Sequence, residues 1–142
     1  MSRRGHATLD VSQWPRVYVT WPAEAMEDEQ FESIVLQMSA LLERRQRYVI
    51  IHDARRAVRP TPKQRAFAAA RQKHDAEGTR RLLAGVALAV SSPLTAGVVT
   101  AINWIAPPPY PLKTFSAMAP AEAWATERLS AAAGASNAKR DD

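Results

Sequence analysis

Apolar and polar positions along the chain change period several times, and each change marks an element. Val17-Tyr18-Val19-Thr20-Trp21 is β-branched and aromatic, the composition of a strand, and Pro22 ends it. Ahead of it Ala7, Leu9 and Val11 alternate with polar residues between His6 and Ser12, the pattern of a short edge strand. Trp14-Pro15 separates the two, which predicts an antiparallel pair. From Met26 to about Gln46 the period lengthens. Phe31, Ile34, Val35, Met38, Leu41 and Leu42 recur at helical spacing, with Glu27, Asp28 and Glu29 in the first turn and Arg44 and Arg45 in the last. Tyr48-Val49-Ile50-Ile51 is then an unbroken apolar run, suited to a central strand covered on both faces, and it stops at His52-Asp53.

Pro60-Thr61-Pro62 opens a second helix, with Thr61 as its cap and Pro62 at the first helical position. The spacing carries it to about Arg81, weakened late by Gly78, with Phe67, Ala70 and His74 on one face and Ala66 and Ala69 beside them. That alanine-rich face predicts a close approach to the sheet. Leu83 to Val90 reads as a buried strand. Ser92 and Pro93 start a third helix from Leu94 to about Ile105, ended by Pro107-Pro108-Pro109. Leu94, Val98, Ala101, Ile102 and Ile105 trace its inward stripe. Leu112–Phe115 is a last short strand. A final helix begins near Ala119-Pro120 and turns Ala121, Trp124, Ala125 and Leu129 inward.

Strands alternating with helices predict an α/β fold: a mostly parallel sheet of four to five strands with about four helices packed against it. The 142 residues make one domain, expected over residues 6–129, with a disordered start at 1–5 and a disordered tail at 130–142. The N-terminus has no apolar stretch of a secretory signal, and the longest apolar run is too short for a bilayer, so a cytoplasmic protein is expected. With no cysteine, disulfides and thiolate chemistry are excluded.

The net charge of +5 is unevenly placed. Between Asp53 and Arg81 nine Lys or Arg stand against three Asp or Glu, an excess of +6 that leaves −1 for the rest. The excess follows a predicted strand end, where partners of open α/β sheets tend to dock. Asp53, Arg55, Arg56, Arg59, Thr61 and Lys63 are therefore the candidate contacts for an acidic or phosphorylated protein partner, or for an anion at the helix N-terminus. Aromatic residues that would stack bases are missing from this cluster, which argues against nucleic acid. Homodimerisation is left open.

Other chemistry finds little support. His6, His52 and His74 are scattered, and only His52-Asp53 sets two metal-type ligands side by side, so no metal or cofactor is expected. His52 could meet Thr61 or Ser91 at one sheet edge, but no nucleophile-elbow pattern accompanies them. No glycine lies between Asp53 and Lys63, which rules out a phosphate-cradling loop there. The second candidate site is apolar: a pocket between the second and third helices, rimmed by Trp104 and Tyr110, that would take a small apolar ligand or lipid.

Several segments share a likeness. Arg47-Tyr48-Val49-Ile50-Ile51-His52-Asp53-Ala54-Arg55-Arg56 resembles the strand-then-Asp segment of the STAS superfamily, in its SpoIIAA-like bacterial branch (STAS/SEC14). Gly85 to Ser92, followed by a short helix ending in Trp104, is similar to the same branch, as is Phe115 followed by Ala121-Glu122-Ala123-Trp124. The likeness spans about residues 9–129 and rests on element order and short apolar patterns. It implies a non-enzymatic regulatory, signalling or ligand-sensing domain. In anti-anti-sigma relatives a serine two residues after the strand-ending Asp is phosphorylated to switch partner binding. Arg55 stands there, and Thr61 is the one hydroxyl between Asp53 and the second helix, so that switch is not carried over.

Overall fold

A computed structural model of the chain describes residues 5–91 and 108–140. The third helix expected over residues 94–105, with Ser92, Pro93 and Trp104, lies outside the described residues, as do residues 1–4. In chain order the elements are β1 (Thr8–Asp10), β2 (Arg16–Thr20), α1 (Asp28–Ala40) with a 3-10 turn (Leu41–Arg44), β3 (Tyr48–Asp53), α2 (Pro62–His74), α3 (Ala76–Leu82), β4 (Leu83–Ala89), β5 (Leu112–Phe115) and α4 (Met118–Arg140). The five strands form one sheet whose spatial order is their chain order. β1 pairs with β2 antiparallel and every other pair is parallel, so the fold is α/β as expected.

β3 is central, with Ile50 registered between Val17 of β2 and Val86 of β4. Both faces of this strand are covered, which is why it tolerates four apolar residues in a row. Val17, Val19, Tyr48, Ile50 and Val86 meet Phe31, Ile34, Val35 and Leu41 from α1 and its turn. Val49, Ile51 and Ala87 face the other way and take Ala121 and Ala125 of α4. Two helical layers therefore sandwich the sheet. Among the described residues no helix is long and apolar enough to cross a membrane.

Four expectations are corrected. β3 does not stop at Ile51 but continues through His52 and Asp53, because both remain paired, to Leu88 and Ala89 of β4. α1 ends at Ala40, and a 3-10 turn then closes on Arg45 in the left-handed region at φ 54°. The second helix breaks at Asp75, not Gly78, since the Asp75 side chain is drawn into a polar cluster with Ser39 and Arg71. Gly78 has a different use: a Cβ there would sit 3.0 Å from Leu42 Cδ1, so its bare backbone lets α3 close on the 3-10 turn. Finally, α4 runs on to Arg140 where a tail is expected from residue 130, in keeping with the helix propensity of its alanines.

The inward face of α2 also differs. Ala70 and His74 are exposed, whereas Gln64 and Ala69 are buried and Phe67 and Ala68 half-buried. α2 leans chiefly on α1, with Phe67 and Ala68 turned to the core that the sheet shares with α1.

Candidate functional site

The cationic loop follows β3 directly. Asp53 points to the face opposite His52, and both its oxygens are taken by Arg55, with Nε at 2.9 Å from Oδ1 and Nη2 at 3.0 Å from Oδ2. Those hydrogen bonds hold the Asp53 carboxyl below the usual carboxylate range. The Ser91 hydroxyl donates to the Arg55 carbonyl, fixing the loop to the end of β4. Thr61 caps α2, its Oγ1 accepting from the Gln64 N–H at 3.1 Å. Lys63 reaches Asp28 of α1 at 3.3 Å. Arg56 and Arg59 are exposed and form no ion pair among the described residues. The six expected contacts thus lie in one segment, but most are engaged in holding it together.

A second site lies between α1, α2 and the sheet. It is a cavity of about 230 Å³, walled by Val35, Met38 and Leu42 of the first helical segment, Ile50, Val86 and Leu88 of the sheet, and Ala68 of α2. It lies where α1, α2 and the sheet meet. Tyr110 is in its wall, as the sequence suggests; Trp104 is not described. The pocket expected between the second and third helices involves residues outside those described; this cavity lies on the α1 side of α2.

Its polar groups gather at two ends. At the end where β3 begins, Arg71 Nε donates to Ser39 Oγ at 2.8 Å and approaches Asp75 Oδ2 at 3.4 Å, while the Ser39 hydroxyl donates to Asp75. His74 Nδ1 lies 3.1 Å from the other Asp75 oxygen. The Tyr110 hydroxyl lies 3.5 Å from Gln72 Oε1. Burial, with a smaller contribution from the Asp75 carboxylate, pushes the Tyr110 phenol up to about 12; burial raises Tyr48 as well. Both phenols are neutral donors at physiological pH.

His52 stands at the other end. Trp21 donates its Nε1–H to His52 Nδ1 at 2.9 Å, and the two rings stack with centroids 5.9 Å apart. Burial lowers the imidazole pKa to about 4, so the ring is neutral. It makes no hydrogen bond to Thr61 or Ser91, whose hydroxyls are used elsewhere. His52 and Asp53 do not converge either, being successive residues of one strand. Among the described residues no group of three or more His, Asp or Glu could hold a metal ion.

Sequence reasoning missed Ser39, Arg71 and Asp75 because 36 residues separate Ser39 from Asp75 and nothing local joins them. The one available signal was an Asp within a helical run. No family model, curated protein or solved structure matches the chain.

Proposed function

We propose that this domain is a non-enzymatic sensing module that holds a small, mostly apolar molecule between α1, α2 and the sheet. The observation that carries the reading is the cavity, with its apolar walls and a few convergent polar groups. An apolar protein cavity of about 150 Å³ already accepts benzene, so about 230 Å³ suits one ring or a short branched chain. No histidine meets a free hydroxyl among the described residues, which favours binding over catalysis. The reading agrees with the ligand-sensing role that the STAS resemblance implies.

Native mass spectrometry of the purified protein tests it. A retained small molecule is expected, and Ala68→Phe, which fills the space from α2, should abolish retention without unfolding the domain. A protein that carries nothing, and that no apolar probe stabilises against heat, would overturn the reading.

Arg56 and Arg59 favour a second role for the loop, the docking of an acidic or phosphorylated protein, because both are exposed beside the N-terminus of α2. Exposed charges are screened over about 8 Å at physiological salt, so such binding should weaken as salt rises. Arg56→Glu with Arg59→Glu should remove it and leave the cavity intact. Unchanged capture of an acidic partner by that variant would dismiss the role.

A further inference from the structure

We infer that His52 is the recognition group of the cavity: its Nε2–H donates a hydrogen bond to the carbonyl oxygen of a small, uncharged, mostly apolar molecule. This rests on the binding reading above and adds the class of ligand.

The argument starts at the other ring nitrogen. An indole N–H only donates, so the Trp21 bond at 2.9 Å requires a lone pair on Nδ1 and places the single proton of the neutral ring on Nε2. That N–H has no partner among the described residues. Its direction follows from the walls. His52 lines the cavity and Trp21 does not, so the ring edge bordering the space is the one turned away from Trp21, which carries Nε2. Burial alone holds the ring neutral, with its pKa near 4, and a second proton at Nδ1 would face the indole N–H head-on. The cavity therefore offers one fixed, uncharged donor in an apolar surround. A ligand oxygen placed there gives this unpartnered donor an acceptor in an apolar surround.

The surround also selects against charge. Beside His52 in the sheet stand Ile50 and Leu88, and Val35 and Ala68 line the same cavity; none of these can compensate a buried carboxylate. The nearest cation in the wall, Arg71, is tied to Ser39 and Asp75 at the Tyr48 end. Tyr48 is four residues from His52 on the same strand, about 13 Å away at strand rise. A neutral carbonyl compound with an apolar body fits both facts.

The test uses the full-length protein with acetophenone and ethylbenzene, probes of similar shape that differ by the carbonyl oxygen. In the wild type, imidazole nitrogen spectra should show Nε2 protonated and Nδ1 bare, and acetophenone alone should shift the Nε2–H resonance. In His52→Phe, acetophenone should lose about tenfold in affinity relative to ethylbenzene, the worth of one hydrogen bond. Taking the ratio cancels the unpaired Trp21 N–H, which both probes meet equally. If both probes bind but Nε2 does not respond and the ratio holds, the inference falls and the binding reading stands. If neither probe binds the wild type, both fall. Should His52→Phe fail to fold, the wild-type spectrum decides alone.

Discussion

At the residue scale, two side-chain positions set opposite kinds of constraint. Gly85 is one where size is the issue. A Cβ there would lie 3.2 Å from Arg128 Cβ and Cγ and 3.3 Å from Trp124 Cη2, so a side chain would crowd α4 where it rests on β4. Gly85→Val should lower stability by about 1–3 kcal/mol in urea unfolding, the usual cost of overpacking. An unchanged midpoint would mean that α4 docks farther from the sheet. His52 is constrained by charge. Its folded pKa of about 4 lies below the ordinary 6.5, so the unfolded chain takes up the proton first as pH falls. The contribution is intact above pH 6.5 and is lost progressively down to about pH 4, by up to about 3 kcal/mol. No charged side chain shares in this shift, so His52→Gln should flatten that part of the pH–stability curve. Superimposable curves for the two proteins would contradict it. The sequence marked His52 as the end of an apolar run but gave no hint of Trp21, 31 residues earlier, as its partner.

At the element scale, α1 and α2 are joined at their N-termini by a residue that the sequence analysis does not single out. Gln64 is buried, and its Nε2 donates to the Met26 carbonyl at 3.0 Å and to Asp28 Oδ1 at 3.1 Å. Its Oε1 accepts from the Thr61 N–H at 3.2 Å, closing a capping box. Gln64→Leu keeps the bulk but strips these groups of partners, and should cost on the order of 2 kcal/mol. Thr61→Ala should cost about 1 kcal/mol. Because the two residues share one network, the double mutant should cost less than the sum; strict additivity in a denaturation cycle would show that they act separately. The cap itself was legible, since Thr61 followed by Pro62 is a local signal. The tie to α1 was not, since local patterns say nothing about which helix lies alongside. The same limit hid the break at Asp75, which depends on contacts between distant segments.

At the scale of the whole molecule the sheet was legible in advance, because burial on both faces writes itself into β3 and β4 as continuous apolar runs. Ile50 and Val86 are registered neighbours, 4% and 5% exposed. What the runs do not encode is how far α4 extends. Just past Leu129 Ala131, Ala133 and Gly134 are exposed, and Arg47 Nη1 reaches the Ala132 carbonyl at 3.4 Å. Deleting residues 133–142 should therefore change stability by no more than about 0.5 kcal/mol. A large drop in the thermal midpoint would assign that end of the helix a packing role.

The identity of strand order and chain order has a consequence during synthesis. Each strand hydrogen-bonds to the one made just before it, so each pairing can form as soon as its second strand has been made. A nascent chain extended through β4 already holds four of the five strands and most of the cavity wall. It still lacks β5 and α4. Until α4 follows, Val49, Ile51 and Ala87 are uncovered, and that face is where the unfinished protein is open to chaperones and to its own neighbours on the polysome.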